Sequence, residues 1–95
     1  MAIAVHFINK PDPETRDKYE TSFRRLDELD ARHPQGRRSH VSWIVGEQMH
    51  VLDVWESQEE LDAYFHTLGP ILEEFGMELA GLPEVGEVIQ VIVPA

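Results

Sequence analysis

The sequence predicts an α+β fold, a ferredoxin-like βαββαβ plait in which a four-stranded antiparallel sheet carries two helices on one face. Apolar β-prone segments and amphipathic segments follow one another in that order along the chain. The two middle apolar segments are separated by a two-residue loop that begins with glycine, which is typical of a β-hairpin. A chain of 95 residues has room for one domain, so we assign residues 1–95 to a single domain.

The first strand and the first helix lie in the N-terminal third of the chain. Ala2–Ile8 is apolar and is followed by Asn-Lys-Pro, which predicts a strand that ends there. Asp12 precedes Pro13, the arrangement of a capping residue followed by proline in the first helical turn. We expect the helix to end near Arg32-His33, before a Pro-Gln-Gly turn. The helical stripe that should face the core is Tyr19, Phe23, Leu26 and Leu29.

A hairpin follows, with strands predicted over Ser39–Val45 and Gln48–Trp55 and a type II′ turn at Gly46-Glu47. If the loop consists of these two residues, His40 faces Asp53; a loop of three or four residues would give another register and break this pairing. Side chains alternate between the two faces of a strand, so each residue of the hairpin can be assigned to a face. One face collects His40, Ser42, Ile44, Met49, Val51, Asp53 and Trp55, and the other collects Val41, Trp43, Val45, His50, Leu52 and Val54.

The second helix and the last strand complete the predicted order. Ser57 and the glutamate three residues later form a capping box, which predicts the start of the helix. Gly69-Pro70 should interrupt it, because proline lacks an amide and clashes with the preceding turn. We therefore predict one helix to about Thr67 and a short second piece closed by Gly76. The last strand is predicted over Glu84–Val93.

Both faces of the predicted sheet are apolar. In the first strand Ile3, Val5 and Phe7 alternate with Ala4 and Ile8, and the last strand shows the same pattern. Two helices can cover only one face, so we predict that a second copy of the chain covers the other in a homodimeric α+β barrel. The alternative is that the outer face is a mildly apolar surface that needs no cover.

Charge and composition exclude several classes of function. All eight Lys and Arg fall between Lys10 and Arg38, against eighteen acidic residues and a net charge of −10, which disfavours nucleic acid and anionic membranes as partners. A large anionic substrate is disfavoured too, unless Arg37 or Arg38 meets it locally. There is no cysteine for a disulfide, a zinc knuckle or a thiol nucleophile. With no apolar run long enough for a membrane span and no signal-peptide pattern, we expect a cytoplasmic protein.

The segment Val51–Leu61 carries a resemblance to a known family. An apolar strand that ends in acid-x-Trp-Glu-Ser before a capped helix resembles the antibiotic biosynthesis monooxygenase-like group of dimeric α+β barrels, especially its small bacterial members. Those members also carry a histidine in the preceding strand and Leu-Gly-Pro after the second helix, here His40 and 68–70. The group includes cofactor-free oxygenases acting on aromatic ketones, haem-degrading enzymes and isomerases. Many oxygenase-like relatives have a histidine nine residues after the tryptophan, where this chain has Tyr64, with His66 two residues further on.

The facing pair His40 and Asp53 is the candidate catalytic site. A carboxylate beside an imidazole fixes the tautomer of the ring and supports a general base. The same pair could instead be a mutually satisfied buried polar pair with no catalytic role. None of the five histidines has the spacing that places two metal ligands on one side of an element, so we predict no metal, although ligands from separate strands could still assemble one. We also predict no cofactor, because the proposed chemistry needs none and no Gly-rich loop is present to hold a nucleotide. The predicted substrate-binding residues are Trp43, Trp55, Tyr64 and His66.

Two functions remain open from the sequence. The first is a cofactor-independent monooxygenase or isomerase that abstracts a proton next to a carbonyl of a small apolar or aromatic ligand. The second is a non-catalytic dimeric module with a filled core and no open pocket. The volume of the cavity beside His40 distinguishes them, since small-molecule sites occupy a few hundred Å³.

Overall fold

Residues 1–93, the part of the chain that the computed structural model describes, form two helices and one antiparallel sheet of four strands in the order β2-β3-β1-β4. This confirms the predicted ferredoxin-like α+β fold. Neither helix within these residues has the length and apolar character to cross a membrane. The elements are β1 (Ile3–Ile8), α1 (Thr15–Glu28), β2 (Arg37–Val45), β3 (Gln48–Trp55), α2 (Gln58–Glu74) and β4 (Glu84–Glu87).

The core lies between the two helices and one face of the sheet. Alternate residues of β1 and β3 supply the sheet side, because successive side chains of a strand point to opposite faces. The helices supply the other side through residues three and four positions apart. The buried apolar cluster consists of Val5, Phe7, Leu26, Met49, Val51, Trp55, Leu61, Tyr64, Leu68, Ile71 and Met77.

The hairpin has the predicted register. Gly46 has φ +60° while Glu47 is not among the residues with positive φ, which is the pattern of a type II′ turn. His40 faces Asp53 as predicted, and the pairing is regular from the turn to that point. Beyond it a β-bulge at Arg38 shifts the register by one residue, which the sequence does not predict.

The first helix is shorter than predicted at both ends. Asp12 does not cap it, because its carboxylate accepts the amide of Glu14 in the turn before the helix. At the other end Asp30 has φ +53°, and the amide of Ala31 donates to the carbonyl of Leu26 at 2.8 Å. This left-handed closure ends the helix at Glu28, about a turn before the predicted end.

The second helix continues through Pro70 as a single element, so the predicted break is wrong. The clash of a proline ring with the residue before it involves that residue's Cβ, and Gly69 has none. Leu68 and Ile71 on either side are buried in the same core as the first half of the helix. Packing of a continuous apolar stripe therefore outweighs the one hydrogen bond that proline removes. Ser57 caps the start as predicted, accepting the amide of Glu60 at 3.2 Å.

The last strand covers only Glu84–Glu87, so its predicted extension to Val93 is wrong. It pairs antiparallel with β1, and Glu87 faces Ile3 at the very start of that strand. Beyond a hydrogen bond from the Val88 amide to the Ala2 carbonyl, the chain has run past the end of its partner. The β-prone composition of 88–93 thus has no neighbouring strand to pair with.

Candidate functional site

A small cavity lies between the inner face of the sheet and the two helices. Its free volume is about 30 Å³, which is room for about two water molecules. Its walls are mainly apolar side chains from β1, β3 and both helices. The polar and charged groups at this cavity are the ones that matter for chemistry: Tyr19, Ser22, Arg37, His40, Asp53 and Tyr64.

The pair of His40 and Asp53 is hydrogen-bonded on the inner face of the hairpin. The distance from His40 Nδ1 to Asp53 Oδ1 is 2.6 Å. The Asp53 side chain is 2% exposed, whereas the His40 side chain is 21% exposed. An ionised carboxylate only accepts hydrogen bonds, so Nδ1 carries the hydrogen and Nε2 of a neutral ring keeps its lone pair. The predicted contact is confirmed, and it leaves Nε2 as the atom that can take up a proton.

Tyr19 and Ser42 extend the pair into a hydrogen-bonded chain. The Tyr19 hydroxyl lies 3.3 Å from His40 Nε2 and 2.7 Å from Ser42 Oγ. Burial raises the pKa of Tyr19, opposed by its hydrogen bond to Ser42, so the phenol stays protonated at neutral pH and can donate to Nε2. The arrangement Asp53–His40–Tyr19 therefore orients a base and places a neutral hydroxyl donor beside it.

Arg37 reaches the cavity because of the β-bulge. The bulge makes Arg37 rather than Arg38 the partner of Trp55, whose side chain points into the core. Residues that face each other across two strands share a face, so the bulge aims Arg37 inward. Its guanidinium carbon lies over the ring of Tyr64, 5.5 Å from the centroid. Burial raises the pKa of Tyr64, and the nearby Arg37 charge opposes that shift.

The turn before Arg37 is held by close contact with the second helix. Gly36 has φ +89°, and a Cβ there would overlap the Glu60 carboxylate. The Gly36 carbonyl accepts the amide of Glu56 at 2.8 Å. The positive φ favours glycine, and any side chain at this position would also have to displace the Glu60 carboxylate. The turn therefore sets where the following Arg37 enters the sheet.

The other residues predicted to bind substrate do not share the cavity wall. Trp55 is fully buried and packs against Tyr64 with ring centroids 5.2 Å apart, and its Nε1 has no hydrogen-bond partner within residues 1–93. Trp43 lies on the outer face of the sheet and is 40% exposed. His66 is exposed on α2. Of the four, Tyr64 alone lines the cavity with His40 and Asp53.

Sequence reasoning overlooked the contributions of Tyr19, Ser42 and Arg37. Tyr19 stands on the predicted core stripe of α1, and its polar end was a usable signal, since a buried phenol needs a partner. Ser42 lies on the same predicted face as His40, which also pointed to the site. Arg37 had no such signal, because a β-bulge leaves no mark in the alternation of the strand.

No metal centre is evident in the part of the chain described. Among residues 1–93, no three His, Asp or Glu side chains converge in a way that could hold an ion. His6 Nε2 and His50 Nδ1 do approach within 3.2 Å, but they are two groups on the outer face of the sheet.

Comparisons with known proteins place the fold. No protein-family model matches the sequence, and a search of curated proteins finds no match. Among solved structures, the chain is similar to SnoaB, a cofactor-independent oxygenase from Streptomyces nogalater, in its N63A mutant form, with TM-score 0.69, 10% identity and 96% of each chain covered. It is similar to a candidate antibiotic biosynthesis monooxygenase from Chloroflexus aurantiacus, with TM-score 0.66, 17% identity and coverage of 100% and 98%. It is also similar to a conserved protein from Methanosarcina mazei Go1, with TM-score 0.62 and 20% identity, covering 90% of this chain and 89% of that protein.

The fold is that of the antibiotic biosynthesis monooxygenase-like proteins, as the resemblance at Val51–Leu61 predicts. At these identities the likeness concerns the path of the backbone and not the side chains of the site.

Proposed function

We propose that the protein is a small-molecule enzyme that removes a proton next to a carbonyl group, with His40 as the base. One observation carries this proposal: the hydrogen-bonded chain Asp53–His40–Tyr19 at the wall of a mainly apolar cavity. A base that is oriented through its second ring nitrogen is the arrangement that general-base catalysis requires.

The proposed reaction begins with transfer of the substrate proton to His40 Nε2. The imidazolium that forms is stabilised by the Asp53 carboxylate, 2.6 Å from Nδ1. Tyr19, no longer needed as a donor to Nε2, can turn its hydrogen toward the oxygen of the resulting enolate. If the substrate has a C=C bond conjugated with the enolate, the proton returns from His40 at the far carbon, which is isomerisation. Otherwise the enolate carbon bonds to O₂, which is reduced to a peroxide, and the peroxide takes the proton from His40 to leave a hydroperoxide. The similarity of the fold to a cofactor-independent oxygenase supports the reaction with O₂.

The substrate has to widen the cavity before it can react. About 30 Å³ holds water but no organic ligand, whereas a substrate site needs a few hundred Å³. An open cleft of about 340 Å³ lies next to the cavity, and Phe23, Arg37 and His40 line both. Displacement of Phe23 would join the two spaces and bring a ligand onto His40.

The test is deuterium exchange at the α-carbons of a small aromatic ketone, 2-tetralone, followed by NMR in D₂O. We expect the protein to accelerate exchange and His40→Gln to slow it by about 100-fold or more, the usual contribution of a general base. His66→Gln is the matched control, because His66 is exposed on α2 and should leave the rate unchanged. Equal rates for the wild type and His40→Gln would contradict the proposed role of His40.

A non-catalytic module is the second candidate function, and the small cavity volume favours it. In that case the Asp53–His40–Tyr19 chain only satisfies buried polar groups. Exchange of 2-tetralone at the rate of buffer alone, in a folded protein, would support this candidate.

We also propose that a second copy of the chain covers the outer face of the sheet. The exposed side chains on that face include Val41, Trp43, Val45 and Leu52, and Ile89 in the segment after β4 is 98% exposed. A continuous apolar area of this kind is uncommon on a monomer. Two-fold pairing would bury the same surface on both copies, as a homodimer requires.

A further inference from the structure

The cleft beside the cavity is a basic site on an acidic protein. The chain has eighteen acidic and eight basic residues, and from Val45 onward it has eleven acids and no Lys or Arg. Three arginines nevertheless line this one cleft, together with two histidines, a phenylalanine and a serine. A negative surface repels anions in general, so a local positive cleft directs them to one place.

The arginines of the cleft differ in how their charge is balanced. Arg32 lies 3.2 Å from Asp27, and Arg38 lies 3.3 Å from Glu56. Arg37 forms no ion pair within residues 1–93. It donates a hydrogen bond to the carbonyl of Arg32, at 2.6 Å, and its side chain also interacts with the Tyr64 hydroxyl. A guanidinium has five N–H donors, so Arg37 keeps most of them for another acceptor.

Arg32 also lies over an aromatic ring, that of Phe23, but of the three cleft arginines Arg37 alone is partly withdrawn from water. Tyr64 lies beneath its guanidinium, and the turn at Gly36 sets its backbone. A planar cation fixed in this way recognises a planar carboxylate through two parallel hydrogen bonds. Partial burial strengthens that interaction relative to one in open solvent.

We propose that Arg37 binds the carboxylate of a small aromatic or other apolar acid. The apolar part of the ligand then points along Phe23 toward His40, since these residues line both the cleft and the cavity. The substrate class is thereby narrowed from carbonyl compounds in general to those that also carry a carboxylate. The link to turnover rests on the proposed function, whereas binding of the acid does not.

The probes are benzoate and benzamide, which have nearly the same shape and differ in charge. Their binding to the whole chain is followed by NMR titration of the ring protons of His40. We expect benzoate to bind about tenfold more tightly than benzamide, as a charge-assisted pair with Arg37 would provide. Arg37→Gln should remove this preference. Arg24→Gln, the same change on the exposed side of α1, should keep it.

A second measurement avoids dependence on the folding of the variant. In the wild type, raising the salt concentration to about 0.5 M should weaken the binding of benzoate and leave that of benzamide unchanged. Equal affinity for the two probes, a preference that survives Arg37→Gln, or no binding of benzoate below about 10 mM would each overturn the inference.

The failure of this inference and that of the proposed reaction can be separated. If benzoate binding depends on Arg37 while His40→Gln leaves deuterium exchange unchanged, the acid site stands and the proposed reaction is wrong. If exchange depends on His40 while benzoate shows no preference over benzamide, the reaction stands and the acid site is wrong.

Discussion

The two faces of the β2–β3 hairpin differ in the burial and the contacts of their polar side chains. On the inner face the buried Asp53 is joined by a hydrogen bond to the partly buried His40. On the outer face the rings of His6, Trp43 and His50 form a stack, with centroids 5.1 Å apart between Trp43 and His50, and Trp43 remains 40% exposed. The inner face thus places a hydrogen-bonded polar pair beside a small, mainly apolar cavity, whereas the outer face exposes an aromatic surface.

Replacing Trp55, the buried tryptophan of the hairpin, should give the largest change in the free energy of unfolding. Trp55→Ala should lower the free energy of unfolding by about 3–5 kcal/mol, because it empties a fully buried site. Trp55→Phe should cost less, since it fills most of the space and removes an Nε1 donor that has no partner within residues 1–93. Urea denaturation measures both. A loss of less than about 1 kcal/mol for Trp55→Ala would show that the site collapses around the gap.

Trp43→Asp tests the outer face through association. We expect the wild type to sediment at twice the chain mass at micromolar concentration, and the variant to sediment as a monomer, because a charge at the centre of an apolar interface opposes pairing. The variant should keep its circular dichroism spectrum, since Trp43 does not belong to the buried core. A wild-type protein that sediments as a monomer would refute the proposed dimer.

Asp53→Asn sharpens the description of the inner face. The amide can donate to His40 as well as accept from it, so the ring loses its fixed tautomer. We expect deuterium exchange of 2-tetralone to slow by about 10–100-fold, with a change in the ¹⁵N shifts of the His40 ring. Asp62→Asn, on the exposed side of α2, serves as the control. An unchanged ¹⁵N spectrum would mean that Asp53 does not orient the ring.

The smallest effect is expected from the two tyrosines at the cavity. Burial raises the pKa of both Tyr19 and Tyr64 above the ordinary value of 10.0. Their contribution to stability is therefore present in full below about pH 10 and is lost as the pH rises through the raised values, because the unfolded chain ionises first. Denaturation at increasing alkaline pH should show this loss, and replacing both tyrosines by Phe should reduce it. An equally steep loss in the double variant would assign it to other groups.

The hairpin shows how far sequence reasoning reaches when a short loop dictates the register. Glycine at the first position of Gly46-Glu47 favours a type II′ turn, and with a two-residue loop strand alternation places His40 opposite Asp53. The structure confirms this register, which a longer loop would have changed. The same reasoning failed at Arg37, because strand alternation carries no sign of the β-bulge that turns this residue inward. The catalytic role of His40 stays a prediction in either case.

The sequence by itself determined the order of the elements and the capping of α2 by Ser57, and it favoured the observed register of the hairpin through the glycine of a two-residue loop. These features follow from interactions between residues near one another in the chain, which local composition records. Tertiary structure decided that α2 passes through Pro70, that β4 stops at Glu87 and that Arg37 enters the cavity. Each of these depends on a partner far along the chain, whose position only the folded protein supplies.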